Sequence, residues 1–130
     1  MRADAHPSPI LVSIVDDDAS VRRALRRMVE SAGFAVATFG SGSEVLEGER
    51  SGVAACFVMD VYLGDMTGFE VQRHLAARGI DLPTIFITAH DDAVTSARAR
   101  QARAAAYLLK PVEGDVLVDA ISAALAGRRG

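Results

Sequence analysis

Five short apolar runs recur along the chain, each bounded by polar residues: Ile10–Val15 ("ILVSIV"), Phe34–Phe39 ("FAVATF"), Val53–Asp60 ("VAACFVMD"), Pro83–Thr88 ("PTIFIT") and Ala106–Leu109 ("AYLL"). They are too short for helices and too continuously apolar for one-sided strands, so they predict strands buried on both faces. The segments between them carry a helical period. In "DDDASVRRALRRMVESAG", Val21, Leu25, Met28 and Val29 repeat at helical spacing, arginines occupy the other faces, and Gly33 stands where a left-handed cap is usual. "SGSE" (Ser41–Glu44) has capping-box spacing and predicts a short helix through Leu46. Thr67–Arg78 predicts a helix with Phe69, Val71, His74 and Leu75 among its inner positions and Gly79 as its stop. Asp91–Ala105, rich in Ala and Arg, and Glu113–Ala126, with Val116, Leu117, Ala120, Ile121, Ala124 and Leu125, predict the last two helices.

Strand and helix thus alternate five times. Strands apolar on both faces need helices on both, which predicts an α/β domain with a parallel sheet and right-handed crossovers. Ligands of such sheets bind beyond the carboxyl ends of the strands. Residues 1–9, with two prolines and no periodicity, predict a flexible lead-in to a domain over 10–126; "GRRG" at 127–130 predicts a tail or the start of a linker.

Composition narrows the class without changing it. A chain of 130 residues is one ordinary domain, and a net charge of −3 argues against direct nucleic-acid binding. The longest strictly apolar run, Val53–Met59, falls far short of a membrane span. Cys56 is the single cysteine, so no internal disulfide forms; it reads as a packed core thiol and fits a reducing cytoplasm. His6, His74 and His90 show no zinc spacing.

Polar residues at the strand ends carry the chemistry. The first strand runs into Asp16, Asp17 and Asp18, the third ends in Asp60, the fourth in Thr88, and the fifth meets Lys110 and Pro111. Asp18 reads as a helix cap; for Asp16 and Asp17 taken alone, capping and a site role stand level. Thr88 alone reads as a turn residue and Lys110 alone as a solvated charge. In a parallel sheet, however, all four ends share one edge. Three carboxylates there resist full ionisation unless a cation compensates, and one lysine cannot balance them. A hard divalent cation can, and oxygen-only donors select Mg²⁺ over zinc. A carboxylate beside Mg²⁺, an ammonium and a hydroxyl is equipped to attack phosphorus and hold the product.

The motifs "IVDDD", "VMDVYLGDMTGFE", "FITAH" and "YLLKP", in that order and spacing, resemble those of response-regulator receiver domains of bacterial two-component signalling, over Ile10 to Ala126. The resemblance implies a flavodoxin-like sheet of order 2-1-3-4-5 with five flanking helices. It implies that Asp60 is the phosphoryl acceptor and that Asp16, Asp17, Asp60 and the Tyr62 backbone carbonyl hold Mg²⁺, with Mn²⁺ as a substitute. Thr88 would donate its hydroxyl to the phosphoryl group, Lys110 would pair with its oxygens, and the Lys110–Pro111 peptide would be cis. Small Ala89 would leave access open, Tyr62 and His90 would tune the phosphoryl lifetime, and Tyr107 would be the aromatic switch. The implied donor is a phosphohistidine on a sensor histidine kinase or a histidine phosphotransfer protein, docking near the first helix, where Val21 and Leu25 add apolar contact. The face of helix four, strand five and helix five would be remodelled, and it is the candidate surface for a phosphorylation-dependent homodimer. The implied protein is not an enzyme but a cytoplasmic signalling module that assists its own phosphorylation and dephosphorylation, with no membrane or nucleic-acid partner.

Two departures stand out. Leu63-Gly64 replaces a usual Met-Pro, which is expected to loosen the loop after the acceptor. Arg103 replaces a usual glycine, so the fourth helix is expected to end differently. A competing reading is an enzyme. Asp16-x-Asp18 resembles the start of haloacid-dehalogenase-type phosphatases and would make Asp16 the nucleophile, but it leaves Asp60 without a role. A DNA-binding regulator is a third reading. The chain ends one helix after the receiver pattern, so it reads as a stand-alone receiver or as part of a longer regulator.

Overall fold

The computed structural model describes residues 9–49 and 53–129; His6 and the expected lead-in up to residue 8 lie outside the described residues. The elements are β1 (Leu11–Val15), α1 (Ala19–Ser31), β2 (Ala35–Phe39), α2 (Gly42–Gly48), β3 (Cys56–Asp60), α3 (Gly68–Ala77), β4 (Thr84–Thr88), α4 (Ala93–Gln101), β5 (Ala106–Leu109) and α5 (Gly114–Arg129). The strands form one parallel sheet of order β2-β1-β3-β4-β5. Both the class and the strand order agree with the sequence reading.

Alternation along β3 shows why the sheet needs two cores. Cys56 and Val58 pack with Leu25 and Val29 of α1 and Leu117 and Ile121 of α5. Phe57 and Met59 point the other way, into a cluster with Phe69, Val71 and Leu75 of α3. Every residue of β3 and β4 is buried, so neither strand shows a polar face. Cys56 is a packed thiol whose pKa burial pushes up to about 12.

Local chemistry sets the helix ends. Asp18 caps α1, accepting from Ser20 N at 2.9 Å, Ser20 Oγ at 2.7 Å and Val21 N at 3.3 Å. The Ser20 hydroxyl and these backbone amides hold its carboxyl below the usual range. Ser41 Oγ accepts from Glu44 N at 3.1 Å, but the Glu44 carboxylate reaches Gly40 N at 3.0 Å instead of Ser41, so this box is shifted by one residue. Thr67 and Glu70 form a complete capping box at the start of α3. Gly33 and Gly79 take φ of 97° and 83°, the left-handed stops expected of them.

Several expectations need correction. The second helix continues to Gly48, and the third strand begins at Cys56, leaving Val53 exposed. His74 is exposed, because the buried arc of α3 runs through Gly68, Phe69, Val71 and Leu75 and position 74 falls outside it. Val116 likewise lies off the inner line of Leu117 and Ile121. The last helix, expected over Glu113–Ala126, runs over Gly114–Arg129. Helix α4 is shorter than its Ala-rich segment: Asp92 caps it and Arg103 closes it at φ 57°. The arginine thus adopts the conformation that glycine would give freely. Bonds from Arg103 N to Arg100 O (3.0 Å) and from Ala104 N to Ala99 O (3.0 Å) satisfy the last carbonyls and oppose its steric cost. The helix therefore keeps the ending that a glycine would have given.

Candidate functional site

Parallel pairing brings the carboxyl ends of β1, β3, β4 and β5 to one edge, with Asp60 beside Ile87 and Thr88 beside Leu109 in register. Asp16 follows β1 and is fully buried, its Oδ1 accepting from Asp18 N at 2.9 Å. Asp17 is exposed at the mouth. Asp60 closes β3 at 6 % exposure; Oδ1 accepts from Tyr62 N at 3.2 Å and Oδ2 from Lys110 Nζ at 2.9 Å. The same Nζ lies 2.8 Å from Asp16 Oδ2. That approach is a charge contact, because Asp16 Oδ2 is buried without a directed hydrogen bond. Lys110 is placed by its own backbone N–H, which donates to Thr88 O at 2.8 Å, and the Lys110–Pro111 peptide is cis.

Burial pushes the Asp60 carboxyl up; the Lys110 hydrogen bond opposes this, Asp16's charge reinforces it, and the net direction is upward. Burial alone would lower Lys110, but its contacts with Asp16 and Asp60 outweigh burial and raise its pKa. The ammonium is therefore held charged between the two acids. Asp16, Asp17 and Asp60 each present an oxygen within 4.8 Å of the others. A crowded, oxygen-only set containing a buried acceptor without a directed donor fits a hard divalent cation.

The remaining expected residues divide into two groups. Thr88 is buried at the edge, but its hydroxyl is engaged by its own loop: it accepts from His90 N at 3.0 Å and donates to His90 O at 3.2 Å. Ala89 and His90 are exposed there. Tyr62 stands 45 % exposed, its ring edge-on to His90 with centroids 6.2 Å apart. Tyr107 packs on the cluster containing Phe86 and Ala99, and its hydroxyl is buried without a partner.

Three further residues shape the site that the sequence reading did not assign to it. Arg22, one of four arginines on α1, is half-buried and donates from Nη1 to Asp16 O at 2.7 Å. Its position one turn into the helix that follows Asp16 was the available clue. Asp65 accepts from Gly42 N (3.1 Å), Ser43 N (3.0 Å) and Ser43 Oγ (3.0 Å), pinning the loop after Asp60 to the start of α2. Thr95 meets the Tyr62 hydroxyl at 3.1 Å. The loop itself is tight. Gly64 takes φ 85°, which proline cannot adopt, and Leu63 N donates to Met66 O at 3.1 Å. The expected loosening at Gly64 is thus corrected to a pinned turn. Beside Lys110 lies an apolar groove of about 360 Å³, lined by Val21, Leu25 and Met28 of α1 with Ile87, Pro111 and Val112.

A family profile described as Response regulator receiver domain matches residues 12–122. Nodulation protein W of Bradyrhizobium diazoefficiens is 40% identical over 114 residues, 88% of this chain and 50% of that protein. The transcriptional regulatory protein TdiR of Thauera aromatica is 37% identical over 129 residues, 99% of this chain and 57% of that protein. The chain thus spans about half the length of these relatives. Among solved structures, the response regulator StyR superposes with a TM-score of 0.83 at 42% identity, covering 94% of this chain and 63% of that one. FixJ-N superposes with a TM-score of 0.79 at 33% identity, covering 92% of this chain and 96% of that one.

Proposed function

The chain belongs to the response-regulator receiver domains of two-component signalling, and from that premise we propose that Asp60 accepts a phosphoryl group from a phosphohistidine. The observation that carries this reading is Lys110 Nζ, held between the buried carboxylates of Asp16 and Asp60 at 2.8 and 2.9 Å. An Asp60 oxygen attacks phosphorus as the bond to the donor's imidazole nitrogen breaks, giving an acyl phosphate on Asp60 and a free histidine on the donor. Lys110 stands ready to pair with the phosphoryl oxygens. Asp16, Asp17, Asp60 and the Tyr62 carbonyl are the groups to hold Mg²⁺, or Mn²⁺ in its place. When bound, the ion neutralises charge on the phosphoryl oxygens. Arg22 braces the Asp16 backbone from outside.

Thr88 then exchanges its His90 partners for the phosphoryl group. Tyr107 follows, since a buried hydroxyl without a partner gains a hydrogen bond by moving. The face that changes holds exposed Val94, Leu109 and Val116, a surface suited to an output partner or a phosphorylation-dependent homodimer. The donor, a sensor histidine kinase or histidine phosphotransfer protein, docks over the apolar groove of Val21, Leu25 and Met28 beside Lys110. Ala89 leaves the acceptor open to it. The module assists its own phosphorylation and the later hydrolysis. Family membership sets aside the haloacid-dehalogenase-type reading with Asp16 as nucleophile. Asp16 is moreover fully buried, with one oxygen committed to Asp18 N.

The test is intact-mass analysis after brief incubation with a small acyl phosphate and Mg²⁺. The expected result is one phosphoryl adduct on the parent and none on Asp60→Asn. A parent that forms no adduct and also fails to bind beryllium fluoride overturns the assignment.

A further inference from the structure

Tyr62 and Thr95 lie 33 positions apart in the chain, yet their hydroxyls meet at 3.1 Å. Tyr62 belongs to the loop after β3, two residues beyond Asp60, and nearly half of it is open to solvent. Thr95 lies in the first turn of α4 and is 2 % exposed. It is itself fixed, because its backbone N–H donates to the capping carboxylate of Asp92 at 2.7 Å. A long, exposed side chain is thus tied at its tip to a buried, immobile group, and its ring is steadied from the side by His90. The other end of the same loop is pinned to α2 through Asp65. A tyrosine two residues beyond the acceptor, left free, would sample several rotamers in water; here one is selected.

We propose that Thr95 is a positioning residue: its hydroxyl holds the Tyr62 ring as a strap across the mouth of the Asp60 pocket and so slows hydrolysis of the acyl phosphate. This rests on the reading of Asp60 as acceptor. A strapped ring restricts the approach of the attacking water, whereas a free ring swings clear. One neutral hydrogen bond is worth about 1 kcal/mol net, so its removal raises the unstrapped population about fivefold. Hydrolysis accelerates by up to that factor.

The experiment measures decay of the phosphorylated mass after donor removal, with Mg²⁺ present, for the parent, Tyr62→Phe, Thr95→Val, Thr95→Ser and the Tyr62→Phe/Thr95→Val double variant. A spectroscopic readout accompanies it. The chain has two tyrosines, so 3-fluorotyrosine labelling gives two ¹⁹F signals, assigned with Tyr62→Phe. Expected are faster decay in Tyr62→Phe and Thr95→Val, a double variant no faster than either single one, and parental decay in Thr95→Ser. The Tyr62 signal should narrow and move towards that of free fluorotyrosine in Thr95→Val and stay in place in Thr95→Ser. Additive effects in the double variant, or a Tyr62 signal unmoved by Thr95→Val, overturn the strap while leaving the acceptor assignment intact. A parent that takes no phosphoryl group and binds no beryllium fluoride overturns both, and that joint failure is distinct from the first.

Discussion

A single side chain can stabilise a loop that regular secondary structure does not reach, and Asp65 is the clearest example. Its carboxylate satisfies two of the free N–H groups that open α2, a helix of only 7 residues. The backbone bond from Ser43, with those from Gly42 and the Ser43 hydroxyl, holds its carboxyl below the usual range. Asp65→Ala should lower stability by about 1 kcal/mol, read as a shift in the urea midpoint. The sign with pH follows from the lowered pKa. The contribution is fully present above the ordinary carboxylate range and is lost as pH falls through the depressed folded value. The difference between parent and variant should therefore shrink on acidification, and a gap that widens would contradict this. None of this was legible beforehand, because an aspartate in a loop carries no mark of the helix it will cap 23 residues away. The reading of Asp18 succeeded because its partners are its immediate neighbours.

At the scale of elements, the same division by sequence distance holds. Apolar runs revealed the strands, since a strand buried on both faces has no other composition open to it. Helix limits were less legible, because Ala and Arg continue a helix as readily as they leave one. Helix α4 stops at Arg103 through bonds that a propensity cannot express. His74 was misplaced because the spacing of α3 allows two neighbouring arcs, and only packing against the sheet selects one. Arg103 also offers a test. An L-residue at φ 57° bears a steric cost of about 1–2 kcal/mol that glycine avoids, part of which glycine returns through its freer unfolded chain. Arg103→Gly should therefore stabilise the domain by about 0.5–1 kcal/mol, seen as a higher denaturation midpoint with unchanged slope. A lower midpoint would mean that the arginine side chain contributes more than its backbone costs.

For the molecule as a whole, the fold gathers charges that the unfolded chain keeps apart. Asp16, Asp17, Asp60 and Lys110 come together only when β1, β3 and β5 are in register. The residues of this site were visible in the sequence because each ends a strand, but their strand order came from the family likeness and not from periodicity. Binding to the folded form alone adds stability. Mg²⁺ at a hundred times its dissociation constant should contribute about 2.7 kcal/mol and raise the melting temperature, and Asp17→Asn should largely remove the gain. A melting point indifferent to Mg²⁺ in the parent would count against the cation. The two cores lend the protein one more property, through its single thiol. Cys56 lies in the central strand, closed over by α1 and α5, with its thiol kept protonated well above neutrality. No reagent reaches it until that strand is uncovered, so its rate of labelling by a disulfide reagent is an internal clock for opening of the sheet. Added Mg²⁺ should slow that clock, and the ratio of rates would report the strength of the cation's grip without any signal from phosphate.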